Sequence, residues 1–434
     1  MDLVLNGDQR STSKVSFGGP LQDAVQERAR QDAIRSLHLW SERDLVQVKV
    51  LDALTPANGE VNYAGMESIS LRLVDASKFL AHCRFPNLSC LWLSVGTHIS
   101  NWDHIASHTM SLMTLEITVD IDDVTAIPTT LQLLSILALN PRLQDVTLTR
   151  LRAFPEDSVI SPIPALMQHL KKLTIEGDFS LVLKIVEGLD YPRRMDELTL
   201  IVCKSRAEDV LTILAPLARD HIEREGRRRV RLGLSVKCYS GCLSIQASSI
   251  DNTGGEAQRF TFATFTVHQR MDVLDDDSLQ MCANFIAQVS MYDIVHFGGD
   301  LSMEVVKQVV PTMPRIQELH LVCARLEKGF LLLDPEATVV RKKLLPSLQH
   351  LYLEDILPDE TSWQPLLSFL AHQTADGQRI SVAISAPGEH ICNDVIREIG
   401  AFVKELVIGL DLDDECPFKS CVASEEEERE EEGA

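Results

Sequence analysis

His104 and His108 stand four residues apart, just after Asp103, with His98 upstream. On a helix that spacing puts both rings on one face, where they could share a metal ion. A third and fourth ligand at a diagnostic spacing are missing, so the pair is predicted to serve as surface or cap residues. Cys238 with Cys242, and Cys416 with Cys421, have the look of zinc half-sites. Both pairs are wider than the two-residue gap such sites use, and they lie far apart in the chain. They read as ordinary thiols. Asp275, Asp276 and Asp277 precede Ser278, where carboxylates meet the free N–H groups of a helix start. Asp411 to Glu415 read as solvated. Arg227, Arg228 and Arg229, with Arg231, form the one basic cluster. A solvated loop after a helix accounts for it, and a weak import or partner patch is the other reading. The glycine motifs of phosphate binding and of the hydrolase nucleophile are absent. No nucleophile–base pair emerges from spacing. The chain is therefore predicted to be no enzyme and to need neither metal nor cofactor.

Composition narrows the classes further. The net charge of -22 and pI of about 5.0 repel nucleic acid and anionic lipid, so neither is an expected partner. Glu425 to Glu432 hold seven Glu and one Arg, which concentrates -6 of that charge in the tail. Such a run self-repels and has nothing to bury, so 413–434 is expected to be an acidic disordered tail. It is read as solubilising, with docking of a basic partner as the sharper alternative. The ten Cys include several inside apolar runs, such as Cys90 and Cys203, which suits buried thiols in a reducing compartment. Neither a signal peptide nor a membrane-length apolar run is visible, so a cytoplasmic or nuclear protein is expected. Hydrophobic residues make up 45% but aromatics only 5%, so the core must be aliphatic.

The elements that would position any site come from a repeat. The pattern apolar-x-x-apolar-x-apolar occurs at Ile34/Leu37/Leu39, Met66/Ile69/Leu71, Leu88/Leu91/Leu93 and Leu112/Leu115/Ile117. It recurs at Leu143/Val146/Leu148, Leu170/Leu173/Ile175 and Met195/Leu198/Leu200, then at Ile316/Leu319/Leu321, Leu348/Leu351/Leu353 and Val403/Leu406/Ile408. The first seven starts are 32, 22, 24, 31, 27 and 25 residues apart. That irregular spacing fits long leucine-rich repeats. The last two apolar positions alternate as a half-buried strand requires, and the first lies on the turn before it. Helices are predicted between them at Ala76–Cys83, Thr129–Ala138, Leu181–Leu189, Ala207–Glu225, Ser278–Val289, Glu304–Val310, Ser362–Thr374 and Asn393–Phe402. Pro86, Pro141, Pro314 and Pro346 each stand two residues before the first apolar position and end a helix there. The predicted fold is α/β: an irregular leucine-rich-repeat solenoid, a right-handed βα arc with a parallel sheet on its concave face.

Between 230 and 300 the rhythm changes. Val230/Leu232/Leu234/Val236, Leu243/Ile245/Ala247 and Phe260/Phe262/Phe265/Val267 alternate around Gly241 and Asn252-Thr253-Gly254-Gly255. Longer strands, with a hairpin that widens the sheet, are predicted there. The expected organisation is a flexible leader over 1–19, a repeat body over 20–412 and the tail. On each predicted strand the residues between the inward positions face solvent. Trp92, Glu116, Thr147, Glu176, Glu197, His320 and Tyr352 head that row as candidate partner-binding residues. Ser94, Thr118, Thr149, Thr174, Thr199, Glu318, His350 and Glu354 accompany them. Trp92 and Tyr352 would be natural anchors, with a ring tucked under a neighbouring loop as the other reading of either, and the five Glu of the row favour a basic protein. A monomer is expected.

Several stretches carry a family resemblance. They are Asn140-Pro141-Arg142-Leu143-Gln144-Asp145-Val146-Thr147-Leu148, His169 to Phe179, Met195 to Leu200, Asp209-Val210-Leu211, Gly226-Arg227, and Leu243 to Ser248. Over most of 30–412 the chain resembles the leucine-rich-repeat part of F-box proteins from mushroom-forming fungi. The resemblance implies a substrate-recognition role in a cullin-based ubiquitin ligase, reached through an N-terminal F-box that docks a Skp1-type adaptor. Residues 1–40 hold no Leu-Pro pair of the kind that opens an F-box. The F-box itself is therefore expected to be missing, and a free-standing repeat scaffold without a ligase is the alternative function.

Overall fold

The computed structural model describes residues 2–6, 35–40, 51–52, 54–55, 60–72, 76–95, 102, 105, 109–119, 128–152, 165–190, 195–203, 209–226, 231–239, 242–251, 258–268, 276–289, 294–300, 303–322, 345–354, 356, 363–375, 377, 379–386 and 391–409. The chain divides into two compact units, Met1–Ser205 and Arg206–Ala434, where the repeat suggests a single body over 20–412. Among the described residues no helix is long and apolar enough to cross a membrane.

The first unit carries β1 (Asp2–Asn6), β2 (Ser36–Trp40), β3 (Ser68–Arg72), β4 (Cys90–Val95), β5 (Thr114–Val119), β6 (Asp145–Leu151), β7 (Lys172–Asp178) and β8 (Glu197–Cys203). Each pairs with the next in chain order, and each pairing is parallel. A parallel neighbour is reached only by a crossover that carries the chain back. Helices α1 (Ser77–His82), α2 (Thr130–Leu139) and α3 (Phe179–Glu187) lie in three of those crossovers, within two residues of the predicted bounds. β1 falls inside the stretch expected as a leader. Its Leu3 and Leu5 stand in register with Leu37 and Leu39, so a parallel strand precedes the first one that the repeat pattern predicts.

Aliphatic residues run across the strands in rows. Leu37, Ile69, Leu91, Leu115, Val146, Leu173 and Leu198 share one register, and Leu39, Leu71, Leu93, Ile117, Leu148, Ile175 and Leu200 the next. None of these is more than 3% exposed. The first apolar positions, Met66, Leu88, Leu112, Leu143, Leu170 and Met195, are buried as well. Met66, Leu88, Leu143 and Leu170 each close a four-residue turn. Leu88 N–H donates to Phe85 C=O at 3.2 Å and Leu143 N–H to Asn140 C=O at 3.1 Å. Pro86 and Pro141 fill the second turn position, where a fixed φ is preset. One hydrogen-bond pair then recurs between successive strands. Glu67 C=O accepts from Ser89 and Cys90, Ser89 C=O from Met113 and Thr114, and Met113 C=O from Gln144 and Asp145. Asn140, fully buried, ties the end of α2 to the segment before β5: its Nδ2 donates to Ile136 C=O at 2.8 Å, and its Oδ1 accepts from Leu112 N–H at 3.1 Å.

The second unit opens with a π turn (Val210–Leu214) that runs into α4 (Ala215–Gly226). Its strands are β9 (Leu232–Tyr239), β10 (Cys242–Asp251), β11 (Gln258–His268), β12 (Ile294–Asp300), β13 (Glu318–Val322), β14 (His350–Glu354), β15 (Ser381–Ser385) and β16 (Glu405–Gly409). In place of a single hairpin there is a three-strand antiparallel meander, β9 to β11, whose first strand also pairs parallel with β12. From β12 to β16 the strands again follow chain order in parallel. The uneven spacing of Phe262 and Phe265 has a cause in the register shift between Ala247 and Ser248, which leaves both rings buried. Phe260, beyond that shift, is 52% exposed.

Helices α5 (Asp276–Val289), α6 (Met303–Val309), α7 (Gln364–Gln373) and α8 (Asn393–Phe402) fill the connections. Gln373 ends α7 as Asn140 ends α2: buried, it donates Nε2 to Leu345 C=O at 2.7 Å. Ile408, predicted to point inward, is 41% exposed. It lies on β16, and the residues after Gly409 fall outside the described part, so no following element is described over it. The histidines at 98, 104 and 108, the Arg227–Arg229 run, Asp275, Cys416, Cys421, the rest of the leader and the acidic tail also lie outside the described residues.

Candidate functional site

Strand alternation sends every second side chain to the sheet face opposite the aliphatic rows. In the first unit one such row is His38, Ser70, Trp92, Glu116, Thr147 and Thr174, taken strand by strand from β2 to β7. The next row holds Arg72, Ser94, Thr118 and Thr149. These two rows enclose an open trough of about 820 Å³, lined on β2 to β4 by His38, Ser70, Arg72, Trp92 and Ser94, and on β5 to β7 by Glu116, Thr118, Thr149, Arg150 and Glu176. Trp92 is half-buried, and its ring centroid lies 6.2 Å from that of His38 at an interplanar angle of 30°. Ser70, between them on β3, is 4% exposed. The Thr118 and Thr149 hydroxyls share a hydrogen bond of 2.8 Å.

Arg150 reaches this face through a break in the alternation. Thr149 faces the trough, so a regular strand would turn the next residue into the core. Here the register between β6 and β7 slips after Ile175: Ile175 pairs with Leu148, and Gly177 with Leu151. Two residues, Thr149 and Arg150, oppose one, Glu176. Arg150 takes φ 58°, the left-handed region, and no other described non-glycine residue has a positive φ. Arg150 is exposed, and Leu151 returns to the core at 1% exposure. The bulge depends on Gly177, where a Cβ would lie 2.5 Å from the Leu151 carbonyl oxygen.

Of the predicted residues in this unit, Trp92, Ser94, Glu116, Thr118, Thr149 and Glu176 meet in the trough. Thr147 is half-buried in register with Glu116 but outside the lining. Glu197 lies at the start of β8, also outside it, with its Oε2 3.5 Å from Lys172 Nζ. His38, Ser70, Arg72 and Arg150 were not among the predicted residues. The first three follow the same alternation as Trp92 on strands whose outward residues were not read, so writing the repeats in register would have found them. Arg150 has no such signal.

The second unit presents a different face. Tyr352, the second candidate anchor, is 7% exposed: its ring is tucked against its neighbours and not presented to solvent. It packs with Ala383, in register on β15, and with Val407 on β16. A fully buried alanine leaves room for the ring to lie down. His320 and His350 flank it, with ring centroids 5.8 and 6.5 Å away. His320 is half-buried, and its Nε2 lies 2.8 Å from Glu354 Oε2. Glu318 sits between Arg231 Nη2 at 3.7 Å and His296 Nδ1 at 3.3 Å. A Cβ on Gly298 would come within 2.8 Å of the His320 Cβ, so the bare glycine gives the two imidazoles their space. Burial holds the His350 imidazole below its ordinary pKa, opposed by the carboxylates of Glu318 and Glu405.

The predicted acidity of the row is therefore offset at three of its five Glu, by Lys172, by Arg231 with His296, and by His320. In the trough itself, Glu116 and Glu176 line the same space as Arg72 and Arg150. Among the described residues no group of His, Cys, Asp and Glu has the arrangement of a metal site. The family models and the curated proteins compared with this chain gave no match.

Proposed function

We propose that this chain is a protein-binding module, built as an irregular leucine-rich-repeat solenoid, that uses the Trp92 trough to hold a partner. The observation that carries the proposal is the open trough itself. It joins a half-buried indole, a row of hydroxyls and charges of both signs on one regular sheet face. Aromatic and arginine side chains dominate the energy of protein interfaces, and hydroxyls with a charged rim supply specificity. Parallel strands in chain order, with a recurring turn and the same hydrogen-bond pair between successive strands, support the solenoid reading. The family-like stretches at 140–148 and 169–179 lie on the turns and strands next to the trough. They favour substrate recognition for a cullin-based ubiquitin ligase over a free-standing scaffold.

Affinity capture from cells tests both levels. Full-length chain should retain a partner that Trp92→Ala loses, since truncating a central aromatic removes about 2 kcal/mol or more. Retention of that partner by Trp92→Ala at equal abundance contradicts the site. A Skp1-type adaptor in the wild-type capture supports the ligase role. Its absence, with partner levels unchanged when the protein is depleted, leaves the scaffold.

A further inference from the structure

The chemistry around Trp92 indicates which side chain the trough takes, an inference that rests on the partner-binding reading above. Trp92 has Ser70 in register on one side and Glu116 on the other. Adjacent strands stand about 4.8 Å apart, so the Glu116 carboxylate reaches whatever lies on the indole. Ser70 is small and buried, and His38 beyond it closes that end with its tilted ring. Glu116 forms no ion pair among the described residues. An aromatic face beside a partly desolvated carboxylate is a receptor for a cation. The ring quadrupole attracts the positive charge, and the carboxylate accepts charge-assisted hydrogen bonds from it. An apolar side chain covering the same place would strip water from Glu116 and offer nothing in return.

We infer that Trp92 and Glu116 receive a lysine or arginine side chain from an extended segment of a partner protein. The net charge of -22 attracts such a segment. Its direction is fixed by the adjoining row. Arg72, one strand back, and Arg150, raised by its bulge, repel a cation placed at those positions and accept a carboxylate there. The recognised segment thus carries its cation at Trp92 and tolerates an acidic residue toward Arg72 or Arg150.

A random peptide library displayed on phage, selected against the full chain, tests this directly. The wild-type pool should be enriched in Arg or Lys at one position. Its peptides should bind Glu116→Gln about five- to twentyfold more weakly, bind Glu116→Asp nearly as well as wild type, and lose binding to Trp92→Ala. Thermal melts of each variant establish that it is folded. A pool that depends on Trp92 but lacks Arg and Lys, or binds Glu116→Gln unchanged, overturns the cation and leaves the binding site standing. A pool indifferent to Trp92→Ala, or a library that yields no binder, removes both.

Discussion

Arg150 stands in the trough because one extra residue is slipped into β6, and the slip has a price set elsewhere, at Gly177. Gly177→Ala puts a methyl 2.5 Å from the Leu151 carbonyl. The strands must part or the bulge must straighten, which is expected to cost about 1–3 kcal/mol in denaturant titration. Partner affinity of the remaining folded protein should fall with it, since a straightened strand withdraws Arg150. Unchanged stability would mean the bulge is not held as described. Here the limit of alternation is visible. It locates Trp92, Glu116 and Glu176 because each follows strict period two, but a residue brought to the face by a register slip breaks that period. The same limit hid the fate of Tyr352. Its outward direction was legible, yet its burial depends on Ala383 and Val407, two strands that meet it only in the folded sheet. His350 beside it carries a pH dependence. Burial lowers its pKa in the folded state, so the unfolded chain binds the proton more readily. Stability is then complete above the ordinary histidine range, near 6.5, and is lost as pH falls through it toward the folded value. His350→Gln should flatten that part of a stability–pH curve. An equally steep curve in the variant would assign the effect to other groups.

Turns and helix ends decide how one element is tied to the next. The prolines at 86, 141, 314 and 346 were readable as helix stops, and each sits second in a tight turn whose fourth residue is a buried repeat position. What could not be read was the use made of the polar residue beside them. Asn140 looks like an ordinary turn residue in sequence. In the fold it is wholly buried and supplies the acceptor for Leu112 N–H, 28 residues away. Gln373 works over the same separation in the second unit, as donor to Leu345 C=O. Asn140→Ala leaves a buried N–H without its acceptor, an expected loss of about 1–3 kcal/mol. Thermal unfolding at matched pH measures it. Asn140→Asp keeps the acceptor but turns the Nδ2 donor into a second oxygen against Ile136 C=O, so it should not restore full stability. A neutral Asn140→Ala would show that the tie adds nothing to the packing around it.

For the molecule as a whole, the parallel, chain-ordered part of the fold was legible because the same apolar-x-x-apolar-x-apolar motif recurs, however uneven the spacing between its copies. The meander was legible as strands but not as an order. β9 pairs with β12 across the two strands that follow it in sequence, and no local signal announces a partner that distant. The break into two units at Ser205 was equally silent, since the pattern gap before Ile316 marks irregular spacing and not a boundary. The proposed function rests on the trough of the first unit, so the decisive observation is whether a partner touches it. A photo-crosslinking residue in place of Arg72, on the trough, and another in place of Arg142, on an exposed turn outside it, separate the cases. Irradiation of the full chain with its captured partner should give a covalent adduct from position 72 and none from position 142. An adduct from 142 alone, with the partner still bound, would contradict the account.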